Sequence, residues 1–242
     1  MRKSLAAALI AASAATSACS QGRAEDGGPT ISRNYQVSGF DQIEVAGPFD
    51  VQIRTGPGTT VSAKGPQKLL EHTIVEVKDG KLVIRPEKRN GWLSGGWHFN
   101  GEAQFVVTVP QLRGAAIKGS GDIRVDQVKG ERFDGTVAGS GGLEVGAVDV
   151  QSLKLSIAGS GGAKTGNGRA ATASYDIAGS GDIDAKGVQA QTASVSIAGS
   201  GNVGAHATNT ASVSIMGSGD VEVTGGAKCS VSKAGSGSVS CS

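Results

Sequence analysis

The sequence lacks several features that would place it in a common functional class. It contains no apolar run of about 20 residues, which is the length that a helix needs to cross a bilayer. Its 23 basic and 21 acidic residues nearly balance, and loss of Arg2 and Lys3 with a leader would leave 21 of each. A balanced charge gives no electrostatic reason to expect nucleic acid or an anionic surface as a partner.

Signatures of catalytic and cofactor sites are also missing. The run Gly199–Gly204 matches G-x-G-x-x-G by letter, but the residues after it indicate another strand, whereas a dinucleotide site needs a helix. Neither a G-x-S-x-G elbow nor a P-loop occurs. The three histidines, His72, His98 and His206, are far apart and share no ligand spacing. The sequence therefore predicts no catalytic residue, no metal and no cofactor.

The chain begins with the pattern of an export signal. Residues 1–18 predict a signal peptide, because a short cationic start precedes the Ala/Leu/Ile-rich run Leu5–Ala15. The small residues before Cys19 resemble the lipobox of bacterial lipoproteins, in which this cysteine is lipidated, although Thr16 stands where Leu is most common. The alternative is an ordinary cleaved signal with an incidental cysteine. Residues 19–29 are then the lipidated cysteine and a flexible tether.

The other two cysteines fit an exported protein. Cys229 and Cys241 would meet an oxidising compartment, where such a pair is a candidate disulfide. A metal pair would need two further ligands with suitable spacing, which the sequence lacks. We therefore expect an outer-membrane-anchored, periplasmic or cell-surface protein, whose lipid anchor makes the membrane one partner.

The tripeptide Gly-Ser-Gly recurs along the second half of the chain. Its seven copies begin at Gly119, Gly139, Gly159, Gly179, Gly199, Gly217 and Gly235. The spacing is 20 residues four times and then 18 residues twice, and a fixed period of about twenty residues is typical of a stacked repeat architecture. Short segments with period-two alternation flank each copy, as in Ser194–Ile197, and they indicate strands and not helices.

Three columns appear when the copies are aligned on their first glycine, and they are apolar apart from one threonine. Two residues before it stand Ile117, Val137, Ile157, Ile177, Ile197 and Ile215. Four residues after it stand Ile123, Leu143, Ala163, Ile183, Val203, Val221 and Val239, and six after it stand Val125, Val145, Thr165, Ala185, Ala205 and Val223. Stacked about 4.8 Å apart, these columns would form the ladders of a core. We therefore predict an all-β fold, a single-stranded parallel β-solenoid (β-helix-like) over residues 111–242, with Gly-Ser-Gly at a corner where glycine permits positive φ.

The columns between these ladders should face solvent. Five residues after the first glycine the charge alternates over Arg124, Glu144, Lys164 and Asp184, which would stabilise neighbouring coils by about 0.2–1 kcal/mol per pair. The last copy carries Lys233 in an inward column, where a charge blunts an open sheet edge. The terminal cysteine pair flanks this last corner, so its disulfide would cap the end and contribute about 3 kcal/mol.

Residues 30–110 lack the tripeptide but keep strand alternation, and we expect this region to cap the solenoid. The run Gly39–Val45, the hairpin sequence Asp79–Ile84, the step Val109–Leu112 and the serial Gly-Ser-Gly-Asp-Ile/Val units resemble the "putative autotransporter adhesin head GIN domain" family. The resemblance covers roughly residues 38–240. It implies exported or cell-surface β-solenoid proteins, many of them lipoproteins, and it supplies no catalytic residues.

One irregular segment, Glu87–Glu102, is the first candidate binding site. It holds Trp92, Trp97, His98 and Phe99 among four glycines. Aromatic side chains on a loop commonly stack on sugars or anchor a protein partner. The alternative is that they fold back against the solenoid as a small satellite core, because a chain with so few aromatics tends to bury them.

Two regular features offer further candidates. The serines of the late coils could match a repetitive polymer or an ice lattice, or form a plain solvated strand face. They are Ser194, Ser196, Ser212, Ser214, Ser230 and Ser232. The carboxylate pairs Asp182/Asp184 and Asp220/Glu222 would suit a carbohydrate-active β-helix enzyme. The alternative is that these residues are there for local turn chemistry.

We predict a non-catalytic surface lipoprotein, either a binding (adhesin-like) module for a glycan or surface protein, or a structural module.

Overall fold

The computed structural model describes residues 27–87 and 101–242. These residues form sixteen strands of one sheet and one short helix. Before the repeats lie β1 (Thr30–Tyr35), β2 (Gln42–Ala46), β3 (Phe49–Thr55), β4 (Thr60–Pro66), α1 (Gln67–Glu71), β5 (Thr73–Lys78), β6 (Lys81–Pro86), β7 (Ala103–Val109) and β8 (Gly114–Gly119). The repeats form β9 (Ile123–Gly139), β10 (Gly142–Gly159), β11 (Gly162–Gly179), β12 (Asp182–Gly199), β13 (Val203–Gly217), β14 (Val221–Thr224), β15 (Lys228–Ala234) and β16 (Val239–Cys241). Within the described ranges, no helix has the length and apolar character of a membrane span.

The long strands β9 to β13 stack in parallel, each in register with the next. Ile157 pairs with Ile177, which pairs with Ile197, so residues twenty apart in the sequence become neighbours in space. The change from a 20-residue to an 18-residue coil is absorbed between β12 and β13 by two register shifts over residues 184–192. The predicted parallel β-solenoid is confirmed.

Each full coil has three sides, and β10 shows where they meet. Between Leu143 and Ile157, buried and exposed residues alternate along this strand except at Gly146–Ala147 and Gln151–Ser152, where neither residue is buried. Because side chains alternate strictly between the faces of a straight strand, each break turns the chain. In chain order we call the three sides the post-corner side (Leu143–Val145), the middle side (Val148–Val150) and the pre-corner side (Leu153–Ile157).

Glycine at the Gly-Ser-Gly corner is required by the geometry. The first glycine of all seven copies has φ between +131° and +145°, a region that L side chains rarely adopt. A Cβ atom on Gly159 would also overlap the carbonyl oxygen of Gly139 in the preceding coil. The N–H of Ser160 donates to that same oxygen at 3.0 Å. The predicted corner is therefore a column of closely stacked backbone.

The three predicted columns form part of the interior, and buried residues such as Val148, Val150 and Leu153 complete it. From Ile117 to Val223 every member of these columns is buried, including Thr165, whereas Val239 in the last coil is only half-buried. Burial of these aliphatic ladders is the main favourable term that holds the coils together, at about 25 cal/mol per Å² of apolar surface.

The coil of β11 has unusually small inward residues, among them Ala163 and Ala173. In the same coil Tyr175 is fully buried, where the neighbouring coils carry Leu155 and Val195. The large ring occupies the volume that the alanines leave, which keeps the packing close to the density of other protein interiors.

The first part of the chain does more than cap the solenoid. Strand β2 lies between β6 and β8, and β3 lies between β7 and β9, with all of these pairs parallel. The pair β2–β3 is therefore a coil of the solenoid, and the later pair β6–β7 stacks on its outer side. Antiparallel pairing of β5 with β6, β4 with β7 and β1 with β4 then closes this end. The predicted Asp-Gly hairpin is present, with positive φ at Asp79 and Gly80.

The C-terminal end is closed differently. Cys229 and Cys241 form a disulfide across a Cα–Cα distance of 6.7 Å, which joins β15 to β16 in the last coil. The ammonium group of Lys233 donates to the carbonyl oxygen of Gly237 at 2.7 Å. Because Lys233 stands in register with Ile215, its side chain takes the place of an apolar ladder residue at the open end. Val231 of the same strand is 48% exposed.

We expect Tyr175→Phe to leave the free energy of unfolding unchanged or to raise it by up to about 1 kcal/mol. The hydroxyl groups of Tyr175 and Thr165 are buried without a hydrogen-bond partner among the described residues, and an unsatisfied buried polar group costs about 1–3 kcal/mol. Denaturant unfolding measures the change. Tyr175→Ala is the contrast and should lose about 3–5 kcal/mol, because it empties the ring volume. A clear loss with Phe would mean that the hydroxyl is satisfied.

Candidate functional site

The first candidate site and the anchor cannot be placed on this fold. Trp92, Trp97, His98, Phe99 and the lipidation site Cys19 lie outside the described residues. These assignments therefore stay predictions. The described strands that flank the aromatic segment, β6 and β7, form the outermost parallel coil at the N-terminal end of the solenoid.

The pre-corner side of the late coils presents a regular array of hydroxyl groups, which we call the hydroxyl face. Its members are Ser194, Ser196, Ser212, Ser214, Ser230 and Ser232. All six serines are exposed. The parallel register places Ser194 beside Ser212 and Ser230 on successive coils, and the other three align in the same way. None of these six hydroxyl groups has a hydrogen-bond partner within the described part of the chain.

The hydroxyl face has a repeat in two directions. Neighbouring coils are about 4.8 Å apart, and side chains two residues apart along a strand are separated by about 7 Å. Exposed methyl groups border it on the corner side, where Ala198 aligns with Met216, which is 71% exposed. The array can therefore donate and accept hydrogen bonds at regular intervals and contact apolar patches beside them.

The position that follows each Gly-Ser-Gly forms a second column, on the post-corner side, which we call the acceptor column. Its side chains accept hydrogen bonds from the backbone of the next coil. Asp122 accepts from the Gly142 N–H at 2.8 Å, and Asp182 accepts from the N–H and the side-chain amide of Asn202, both at 2.9 Å.

The last step of the acceptor column shows the same pattern. Asp220 accepts from the N–H of Ser238 at 2.8 Å and from its hydroxyl at 2.7 Å. The sequence interpretation assigned these residues to local turn chemistry, whereas the structure shows that they join one coil to the next. A pattern within one repeat does not reveal this role, because the donor lies 18 or 20 residues away.

These contacts bear on the enzyme alternative. The hydrogen bonds from the hydroxyl and the N–H of Ser238 hold the pKa of Asp220 below its ordinary value. A general acid for glycoside hydrolysis needs the opposite, a raised pKa. Glu222, the partner proposed for Asp220, pairs with Lys186 at 2.6 Å. The carboxylates at these positions are thus engaged in contacts between coils.

The alternating charges of the post-corner side form only one ion pair. Arg124 contacts Glu144 at 3.6 Å and its own neighbour Asp122 at 3.5 Å, but Lys164 and Asp184 have no ion-pair partner among the described residues. On the middle side Arg169 and Asp149 of adjacent coils pair at 2.8 Å. Such exposed pairs contribute little to stability, about 0–1 kcal/mol each.

The described histidines are paired locally. His72 contacts Glu87 at 3.0 Å, and His206 contacts the hydroxyl of Thr224 at 3.0 Å. Within residues 27–87 and 101–242 no group of His, Cys, Asp and Glu side chains is arranged to hold a metal ion. The run Gly199–Gly204 forms a corner and enters β13, a strand, so the letter match to a dinucleotide motif has no helix behind it.

We expect Asp220→Ala to lower the melting temperature by about 2–4 °C and Asp220→Asn to lower it less, because an amide oxygen can accept the same N–H. The side-chain oxygen of Asn202 already accepts a hydrogen bond of this kind from the Asp220 N–H, at 3.2 Å. Since the pKa of Asp220 is lowered in the folded state, its ionised form stabilises the protein above the unfolded pKa of about 4. In the wild type that contribution should disappear as the pH falls through the folded pKa, so the difference in melting temperature between the wild type and the Asn variant should close. Thermal scans from pH 7 to pH 3 test both statements, and equal melting temperatures for the Ala variant and the wild type at pH 7 would contradict them.

Solved structures of other proteins share this fold. A "putative adhesin" of Bacteroides fragilis has a TM-score of 0.79 and 23% identity, over 88% of this chain and 97% of its own. A "putative lipid binding protein" of Parabacteroides distasonis has a TM-score of 0.74 and 26% identity, over 91% of this chain and 100% of its own. A "putative adhesin" of the same organism has a TM-score of 0.66 and 22% identity, over 89% and 98%.

The sequence comparisons identify the family. No curated protein matches the sequence. The family model described as "Putative auto-transporter adhesin, head GIN domain" matches residues 39–227, which include every parallel coil except the last. The protein belongs to this family of auto-transporter adhesin head GIN domains.

Proposed function

We propose that the protein is a non-catalytic, adhesin-like binding module of the cell surface, and that it contacts an extended polymer through the hydroxyl face. The observation that carries this proposal is the register of six exposed serines on three successive coils, none of them used in a hydrogen bond within the described residues. Membership of an adhesin family agrees with it.

The chemistry of the hydroxyl face favours a ligand with repeating hydroxyl or amide groups. A neutral array of donors and acceptors attracts no particular charge, and the exposed methyl groups of Ala198 and Met216 beside it can contact the apolar faces of sugar rings. Because each serine contributes little on its own, tight binding requires many contacts at once, which a polymer supplies.

The protein would act from the membrane surface. We propose that Cys19 carries a lipid and that the tether before β1 holds the solenoid away from the outer membrane. In that arrangement many copies on one cell would engage the polymer together, which raises avidity without new contacts.

The test uses the full chain and sedimentation with insoluble cellulose, chitin and peptidoglycan sacculi. We expect the wild type to bind at least one of these polymers and Ser196→Lys/Ser212→Lys to weaken that binding by about tenfold or more, because a bulky charge breaks the flat array. Gln189→Lys/Gln191→Lys is the matched control, since both glutamines are exposed, Gln189 on the middle side and Gln191 at the turn that follows it.

The outcomes separate the candidate sites. Equal binding by the wild type and the serine variant would remove the hydroxyl face from the proposal. Loss of binding in Trp92→Ala/Trp97→Ala alone would assign the ligand to the aromatic segment. Phosphatidylglycerol vesicles form a counter-probe, because one solved relative is described as a lipid binding protein, and preferential binding to vesicles would overturn the polymer proposal.

The anchor has its own test. Bacteria that express the full chain should incorporate labelled palmitate into it, and Cys19→Ala should abolish the labelling, because the thioether-linked cysteine is the acceptor. Wild-type protein that is exported and shortened but unlabelled would mean that the leader is an ordinary cleaved signal.

A further inference from the structure

A recess interrupts the post-corner side of the solenoid. It has a volume of about 410 Å³, and its charged rim is formed by Asp122, Arg124, Glu144, Lys164, Asp182 and Asp184. Between these charged residues it is lined by Gly142 and Gly162 and by Ile123, Leu143 and Ala163. This volume falls within the range of about 300–1,000 Å³ that is usual for small-ligand sites.

The recess exists because the acceptor column is missing two side chains. Asp122 precedes the gap, and Asp182 and Asn202 follow it. At Gly142 and Gly162 the column has no side chain, so an opening two coils long remains between the two aspartates. With about 4.8 Å per coil, Asp122 and Asp182 are about 14 Å apart along the solenoid axis.

The fold does not require glycine at position 162. Its φ lies outside the left-handed region, and an added Cβ atom would meet only the carbonyl oxygen of Asp182, at an ordinary 3.8 Å. At Gly142 the added atom would meet the flexible carboxylate of Asp122 at 3.0 Å. Gly166 in the same coil is different, because a Cβ atom there would overlap the backbone oxygen of Gly146. Gly166 is therefore a requirement of stacking, and Gly162 is not.

An acceptor at position 162 would improve the stacking. The N–H of Asp182 now donates to Gly161 at 3.3 Å, a long hydrogen bond. An Asn or Asp side chain at 162 would accept it, as Asp182 accepts from Asn202 at 2.9 Å. Glycine at this position forgoes a contact that the sister coils make, and natural proteins tolerate such a loss of stability mainly at functional sites.

The rim of the recess selects the class of ligand. Four carboxylates and two cations form it, and Lys164 and Asp184 have no ion-pair partner among the described residues. An anionic ligand would meet more carboxylates than cations, whereas neutral hydroxyl groups suit both signs, because they donate to carboxylates and accept from Lys and Arg. Without side chains, Gly142 and Gly162 let a ring approach the backbone closely.

We propose that the recess binds one or two pyranose rings of a neutral polysaccharide, and that Gly142 and Gly162 keep it open. It lies on the other side of the Gly-Ser-Gly corner from the hydroxyl face, so this inference goes beyond the proposed function and does not depend on it. Asp122, Lys164 and Asp182 hydrogen-bond the sugar hydroxyl groups, and the ring lies over the glycine backbone.

The experiment is isothermal titration of the full chain with maltohexaose, cellohexaose, mannohexaose and N-acetylglucosamine hexamer, with hexagalacturonate and glucosamine hexamer as charged counterparts. Gly162→Asn fills the recess, and Ser238→Asn is the matched control, because it places the same side chain in the acceptor column of the last coil. We expect the wild type and Ser238→Asn to bind a neutral hexasaccharide with equal Kd, and Gly162→Asn to bind at least tenfold more weakly with an equal or higher melting temperature.

Each other outcome overturns the proposal in an identifiable way. If the wild type binds no neutral hexasaccharide at millimolar concentration, or binds a charged hexamer more tightly, the proposed ligand class is wrong. If Gly162→Asn binds the hexasaccharide as tightly as the wild type, the recess is not the binding site. A lower melting temperature for Gly162→Asn shows that the fold needs this glycine. Ser196→Lys/Ser212→Lys should keep hexasaccharide binding, and its loss in that variant would place the sugar on the hydroxyl face.

Discussion

The close stacking of the Gly-Ser-Gly corners is the interaction on which the rest of the structure depends. At five successive corners the serine N–H donates to the carbonyl oxygen of the first glycine in the preceding coil, at 2.9–3.0 Å. Backbones this close leave no room for a Cβ atom, and the positive φ of the first glycine excludes most other residues. Each corner therefore fixes the register of the coil that leaves it. Because register is fixed, Ile157, Ile177 and Ile197 meet as a ladder, and a slip by one residue would turn every aliphatic side chain outward.

In-register stacking also determines what the surface can do. It turns a repeat of twenty residues into columns about 4.8 Å apart. Two serines on each of three coils thus become an array, and the Asp or Asn that follows several corners forms hydrogen bonds between coils. Exceptions in such a column are informative, because the same position in the sister coils shows what the fold accepts. Gly166 is explained by the backbone of Gly146 beneath it, whereas a Cβ atom at Gly162 would make only an ordinary contact beside the charged rim.

A stacked fold leaves an uncovered coil at each end, and this protein closes its two ends in different ways. At the N-terminal end, antiparallel strands satisfy the backbone groups of the outermost coil and cover its ladder. At the C-terminal end, the Cys229–Cys241 disulfide ties the two strands of the last coil together, and Lys233 replaces the ladder residue that a further coil would cover. A charge at an open strand edge discourages pairing with another chain.

The sequence by itself determined the coil, its corners and three of its core columns, because a period of twenty residues and a period of two are both readable from one copy after another. The buried column through Val148 and Val188 on the middle side came only from the structure. The sequence also indicated the cysteine pair and the hairpin at Asp79–Gly80, whose chemistry is local. The tertiary structure decided that β2–β3 is a coil inserted between β6–β7 and β8–β9, because parallel pairing of strands distant in sequence leaves no local pattern. It likewise decided that Asp182 and Asp220 join coils and that Gly142 and Gly162 open a recess. These roles depend on which backbone lies 18 or 20 residues away, and only stacking brings those atoms together.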